Sequence, residues 1–483
     1  MPRSAARART LLIDGGCVVP MDPARSRHDN GCVLIRDGAI AFAGERAALD
    51  PALAAEAAAA EERIDARGCI VVPGLVNAHQ HHWYGLFRGL GGGMRLEQWI
   101  GNLLLPAGAA MTAADAQAAS RLACLEMLAG GTTTCLNHSV TATDEAWVEA
   151  TLQPVLESGM RQLFCKELRP QRLDEQLGRA RELHARWDGA GDGRIALGLT
   201  IETTAHWVAA GTCSEELVLA GHALARELDL RISDHVASGT MSREGGYLRF
   251  VLETGHTDVA FLHDLGVLDE RWVLAHAVHL RDRDLELLAA SGAGVAHTPT
   301  SEAARGAGVA PIRRMREAGV PVALGSDGPM VDASVDMVEQ MKVAIVQQNQ
   351  LHLDPLALTP LDALAMATVD AAHVLGLDDR IGSLEPGKRA DVAIFDLERP
   401  GVAPYHDPVA ALVQSAAGCG ARNVLVDGEP LVRDGAFVRT SADDVRAILA
   451  EARERAAALL ARAEVPAHRA GDAAARAALP AYV

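Results

Sequence analysis

Between residues 74 and 376 the chain repeats one pattern, a short apolar run with a polar end followed by an amphipathic stretch of roughly 12 to 18 residues. The runs are LVNAHQH (75–81), GTTTCLNH (131–138), MRQLFCKEL (160–168), RIALGLTIE (194–202), LRISDHVA (230–237), WVLAHAV (272–278), GAGVAHTP (292–299) and PVALGSDG (321–328). Strand signals alternating with helix signals produce parallel sheets, and eight in succession are enough to close a barrel. The expected fold class is α/β, a (β/α)8 TIM-like barrel over residues 74–376.

The flanks read differently. Residues 10–72 carry short β-like runs (LLIDGGCVV, GCVLIRDGAIAFAG, GCIVV) broken by Gly and Asp turns, with one Ala/Glu-rich stretch at 47–62. Similar runs return after about residue 380 as RIGSLEPGKRADVAIFDL and NVLVDGEPLVRDGAFV. We therefore expect a smaller discontinuous β-sandwich domain made from residues 1–73 and 377–440, and then a C-terminal helix and tail over 441–483. That helix, starting at Ser441 or Asp443, reads as a packing or solvated element without chemistry.

Composition removes several classes of function. Hydrophobic residues at 49% and charged residues at 22% suit a globular enzyme, and no apolar run approaches the roughly 18 residues of a membrane span. A net charge of −18 argues against a nucleic-acid partner, whose binding draws on clustered Lys and Arg, and favours a small uncharged or cationic substrate. The Arg-rich start, MPRSAARART, precedes a segment too broken to be a signal-peptide core and reads as a ragged cytoplasmic N-terminus. The eight cysteines are scattered without a C-x-x-C pair, as in a reducing compartment, and read mainly as small buried hydrophobes.

The chemistry lies in the ends of the runs. They finish on His79 and His81, His138, Lys166 and Glu167, Glu202, His235, His276, His297 and Asp327. The C-terminal ends of barrel strands converge on one mouth, and loops that merely met solvent would not place histidine at five of eight ends. Residues i and i+2 of a strand share a side, so His79 and His81 can chelate one ion together while His82 faces away. His235, His276 and Asp327 add the imidazole and carboxylate donors that suit Zn2+, with Fe2+ as the alternative.

The ordered motifs PGLVNAHQH, GTTT, DHVASG, LAHAVHL, GVAHTP and GSDG, closed by GSLEPGKRADVAIFD, resemble the amidohydrolase superfamily over residues 9–440. Within it the match is to the branch of triazine hydrolases, cytosine-type deaminases, 8-oxoguanine deaminase and deaminases of adenosine derivatives. The resemblance implies one divalent ion held by His79, His81, His235 and Asp327, with His276 beside the ion's water or joining the ligands. It implies that Asp327 acts as general base, that His276 polarises or orients, and that the protein forms a homodimer or larger assembly. Binuclear relatives carry a carboxylated lysine on the fourth strand, where this chain has Glu202, which favours a single ion.

One departure stands out. Deaminases of this branch place a proton-shuttling glutamate three residues after the histidine of the fifth strand, and this chain has Ser238 there. A positioned acid or base contributes roughly 10² to 10⁴ in rate, so a substitute is needed; the candidates are Glu202, His206, Glu244 and His138, with Glu202 preferred. Trp83, Tyr84, Gln98, Ser238, His138, His279 and His297 are candidate substrate contacts, the aromatic pair for stacking on a flat heterocycle. The leading expectation is hydrolytic deamination of an aminated nitrogen heterocycle of triazine, purine, pyrimidine or pterin type. The alternatives are hydrolysis of a cyclic amide or another leaving group with a different proton shuttle, and a binding protein on an inherited barrel.

Overall fold

The computed structural model describes residues 10–140, 145–203, 213–239 and 246–465. His206 and Glu244 lie outside the described residues. The first five strands are β1 (Thr10–Val18), β2 (His28–Arg36), β3 (Ala39–Glu45), β4 (Glu62–Asp65) and β5 (Cys69–Pro73). The barrel follows as β6 (Leu75–Gln80), β7 (Thr132–Ser139), β8 (Arg161–Glu167), β9 (Ile195–Thr200), β10 (Ile232–Val236), β11 (Trp272–His276), β12 (Gly294–His297) and β13 (Val322–Leu324). The last four are β14 (Val392–Asp396), β15 (Asn423–Val426), β16 (Glu429–Arg433) and β17 (Ala436–Phe437).

Strands β6 to β13 pair in sequential order, each pair parallel, as eight repeated strand–helix units require. Small and branched residues fill the interior, among them Val76, Ala78, Leu136, Leu163, Val273, Ala296 and Ala323. Residues alternating with them, such as Phe164, Leu197, Leu199 and Leu274, face outward into the main core beneath the helices.

Closure occurs where β6 meets β13. Gln80 bridges Asp327 in parallel sense, the His81 amide donates to the Asp327 carbonyl at 2.8 Å, and the amides of Ser326 and Asp327 donate to the His79 carbonyl at 3.1 and 3.0 Å. The Asn77 side chain donates to Ser326 Oγ at 2.8 Å and accepts from the Ser326 amide at 3.0 Å. Gly325 is required here, because a Cβ at this position would lie 2.9 Å from the backbone N and O of His79.

The other nine strands form one mixed sheet ordered β17-β16-β15-β14-β5-β1-β2-β3, with β4 also paired to β1. Strand β5, just before the barrel, pairs antiparallel with β14, just after it, so both flanks of the chain complete one sheet. One face packs Leu11, Ile13, Val33 and Ile35; the other packs Leu12, Cys32 and Leu34 under the helix Pro51–Ala58.

Buried charge fastens this sheet to the closed end of the barrel. Asp427, in the turn between β15 and β16, accepts from Arg161 Nη2 at 2.9 Å and Arg194 Nε at 2.9 Å, and also from Arg389. Asp391 accepts from Arg161 as well, at 3.2 Å, and takes the Asp427 amide at 2.9 Å. Arg161 and Arg194 stand at the N-terminal ends of β8 and β9, opposite the mouth.

The helix Ala442–Arg462 is capped by Ser441 with Asp444 in a capping box. Its Ala452 and Leu459 join a satellite cluster with Trp83, Tyr84, Phe87, Trp99 and Met330 over the first strand–helix loop. All eight cysteines are free and seven are buried. Among the described residues no helix is long and apolar enough to cross a membrane.

Candidate metal centre and active site

Seam geometry places the first donors. Because β6 and β13 are sewn together at His79, His81 and Asp327, the Asp327 carboxylate lies 3.4 Å from His81 Nε2 and 3.8 Å from His79 Nε2. His235, ending β10, brings its Nε2 to 3.2 Å from each of those two nitrogens. His276 joins His79 and Asp327 in a second set of mutually close donor atoms. Asp327 has φ +60°, His276 +75° and Ala277 +52°, left-handed conformations that a side chain adopts only when its surroundings hold it there. At the last two the holding is visible: Ala277, Val278 and His279 donate amides to the carbonyls of Val236 and Ala237.

The second nitrogen of each ring identifies the one aimed at the centre. His81 Nδ1 lies 2.7 Å from the His138 carbonyl and donates to it. His235 Nδ1 donates to Glu202 at 2.8 Å, and His138 Nε2 donates to the same carboxylate. His138 Nδ1 meets Ser233 Oγ at 2.8 Å. Glu202 is thus a wholly buried carboxylate between two imidazoles; burial favours its neutral form, but His235 and His138 outweigh it and hold the group well below the usual carboxylate range. With both oxygens engaged by His138 and His235, it orients the His235 ring.

Burial lowers the pKa of His79 and His81, with neighbouring imidazoles adding to the effect at His79, so both are neutral donors. At His235 burial acts the same way, but Glu202 and then Asp327 outweigh it and the pKa is raised. Asp327 is held well below its ordinary value despite burial, through His81 and Arg305.

These donors fit a metal. A tetrahedron with metal–nitrogen bonds of about 2.0–2.1 Å has donor–donor edges of about 3.3 Å, close to the spacings of 3.2, 3.2 and 3.4 Å found here, with His79 to Asp327 wider at 3.8 Å. Three imidazoles and a carboxylate at such spacing, buried except for the partly exposed His235, form a cluster of lone pairs that a cation satisfies. The set His138, Glu202 and His235 is closed by direct hydrogen bonds and leaves no comparable gap. Since the pKa of His235 is raised while those of His79 and His81 are lowered, cation affinity is expected to rise about tenfold per pH unit below the His235 titration, one proton being released from that ring per ion. Chelator competition between pH 5 and 8 measures that slope; a value near three protons would contradict this account.

The remaining candidates are spread around the mouth. Tyr84 stacks on the His81 ring with centroids 4.2 Å apart, and Trp83 packs edge-on against Tyr84 and Phe87. Gln98 accepts from the Arg95 amide at 3.1 Å and so caps its own short helix. Ser238 is buried and its hydroxyl has no hydrogen-bond partner among the described residues. His279 lies 2.9 Å from the Gly239 carbonyl and stacks on Tyr247, while both ring nitrogens of buried His297 lack hydrogen-bond partners among the described residues. Lys166 has its pKa lowered to about 8 by burial, and its Nζ donates to the Glu167 carbonyl. His82 turns away from the centre toward Ser120 and Gln162.

Sequence reasoning missed a second tier of residues. Ser301 Oγ donates to Asp327 Oδ2, Glu302 Oε1 lies within ion-pair distance of His276 Nδ1, and Arg305 pairs with Glu302. Burial raises the pKa of Glu302, but Arg305 and His276 outweigh it and bring it down to about 2. The one available signal was their place in PTSEAAR, directly after the seventh run.

Fold and site together define a class: a parallel (β/α)8 barrel whose mouth gathers imidazoles and a carboxylate is the frame of a metal-dependent hydrolase. The sequence matches the amidohydrolase family profile over residues 70–431, and the chain belongs to that family. It is 36% identical to the 5-methylthioadenosine/S-adenosylhomocysteine deaminase of Symbiobacterium thermophilum over 92% of this chain and 98% of that protein. The 5'-deoxyadenosine deaminase of Methanosarcina mazei is 33% identical over 94% of this chain and 99% of its own length. Among solved structures, a zinc-bound adenosine deaminase from Xanthomonas campestris superposes with a TM-score of 0.83 at 25% identity, covering 93% of this chain and 98% of that one. The zinc complex of atrazine chlorohydrolase from Arthrobacter aurescens shares the fold, with a TM-score of 0.81 at 23% identity over 92% of this chain and 100% of its own.

Proposed function

We propose that the protein is a metal-dependent hydrolytic deaminase of an aminated nitrogen heterocycle, with the purine of an adenosine derivative as its substrate class. The observation that carries this is the meeting of His79, His81, His235 and Asp327 at spacings suited to one four-coordinate ion. A divalent ion there, Zn2+ or else Fe2+, supplies the Lewis acidity that makes water a nucleophile near neutral pH. The three histidines would hold it through Nε2, and Glu202 fixes the third ring from behind.

Asp327 is the carboxylate placed to take the proton of the attacking water, with Ser301 fixing its Oδ2. His276, facing the same centre, stabilises charge as the ring carbon becomes tetrahedral. Ser238 offers the substrate a buried hydroxyl with no partner among the described residues, and the Tyr84–His81 stack walls one side. Similarity to deaminases of adenosine derivatives over nearly the whole chain supports the purine class.

The test is ammonia release by Zn2+-loaded protein from adenosine, 5'-deoxyadenosine, 5-methylthioadenosine, S-adenosylhomocysteine, cytosine and an aminotriazine. We expect one ammonia per hydroxylated product from at least one adenosine compound. Ring-opened acids without ammonia, or no turnover of the panel, would reject the proposal.

A further inference from the structure

The helix Pro299–Arg305 starts immediately after β12, with its proline at the first helical position. Its Glu302 and Arg305, three residues apart and so on one face, are both turned under the mouth, where their side chains are 0% and 3% exposed. Glu302 Oε1 lies 2.5 Å from His276 Nδ1, and Arg305 Nη2 donates to the same oxygen at 2.8 Å. Thr298 Oγ1 stands 2.8 Å from that ring nitrogen, and Arg305 Nη2 stands 3.7 Å from Asp327 Oδ2. The helix therefore touches two of the five residues around the centre, His276 and Asp327.

His276 needs such support more than its neighbours do. The left-handed turn at His276 and Ala277 takes the ring out of the regular strand pattern that aims His79, His81 and His235. A carboxylate at Nδ1 accepts a proton from that nitrogen alone and leaves Nε2 as the atom turned to the reacting centre.

We infer that Glu302, clamped by Arg305, is a positioning residue that accepts the Nδ1 proton of His276 and presents Nε2 of that ring to the centre. Its kinetic consequence rests on the deaminase reading, whereas the ring orientation does not. A buried ion pair with only a packing role would be replaceable by neutral groups of similar size at little cost. The double variant Glu302→Gln/Arg305→Met makes that replacement without stranding either charge.

The experiment is imidazole NMR on 15N-histidine-labelled full-length protein, with the His276 signals identified by their loss in His276→Gln. It is paired with steady-state kinetics, metal content and melting temperature for wild type, Glu302→Gln and the double variant. The expected result is a proton on His276 Nδ1 in the wild type and its redistribution between the two nitrogens in the double variant. In kinetics, kcat falls about 10- to 100-fold with KM changed less than about threefold and with metal content and melting temperature near wild type. A bare Nδ1 in the wild type, or wild-type kcat in the double variant, overturns the proposal. So does a loss of activity that only tracks loss of metal or of folded protein. If the wild type releases no ammonia, the deaminase reading fails while the NMR result still decides the role of Glu302.

Discussion

Asp327→Asn is expected to lower kcat by about 10⁴-fold, because it removes a metal donor and the proton acceptor in one step while keeping the shape of the side chain. Asparagine is the informative choice. Position 327 has φ +60°, a conformation Asn tolerates and Ala adopts only with strain, so an alanine variant would mix a folding defect with the chemical one. The backbone bonds from Asp327 to His79 and His81 do not involve the carboxylate and should survive the change. Kinetics at matched metal occupancy measure the effect. An asparagine variant with more than a tenth of wild-type kcat would remove Asp327 from the centre of the mechanism.

The second large effect is on stability. Asp427→Ala should destabilise the protein by about 3–5 kcal/mol, since it removes the carboxylate shared by Arg161 and Arg194, 3% and 6% exposed, and leaves each buried guanidinium with a single acidic partner, Asp391 and Glu429. The folded structure holds Asp427 below its ordinary pKa: burial opposes this, but Arg161 first and then Arg389 and Arg194 outweigh it. A carboxylate depressed in this way contributes stability that is fully present above the unfolded value of about 3.9 and is lost as pH falls from there toward the folded value. Urea unfolding of wild type and variant at pH 7 and near pH 3 should therefore show a difference that shrinks at the acid end. Asp427 lies at the closed end of the barrel, so kcat of the folded variant should stay within about twofold. A difference under about 1 kcal/mol at neutral pH would mean that the cluster does not fasten the two sheets.

The barrel and its principal donors are legible in the chain because both follow from local periodicity. His79 and His81 share a face through the two-residue repeat of a strand, and His235, His276 and Asp327 end apolar runs that read as strands of the same barrel. The helix at Ser441 is announced by its own capping residues. What escapes notice depends on contacts between distant segments. Glu302 and Arg305 sit at the spacing of an ordinary solvated helical pair, and nothing local says that the helix turns them inward beneath His276. Glu202 is legible as a strand-end acid, but its engagement by two imidazoles required the positions of β7 and β10. Asp427 reads as a turn aspartate before glycine, and its three arginine partners come from three separate stretches of sequence.

The seam between the first and last barrel strands has a consequence for how the protein comes into being. His79 and His81 are made early in synthesis, whereas Asp327 and the Gly325 contact that registers it arrive some two hundred and fifty residues later. A ribosome-bound chain carrying seven completed strands holds every imidazole of the centre, yet its decisive carboxylate is still missing. Competence therefore appears as a single late event, and any shortened product ending before the eighth strand should be inert.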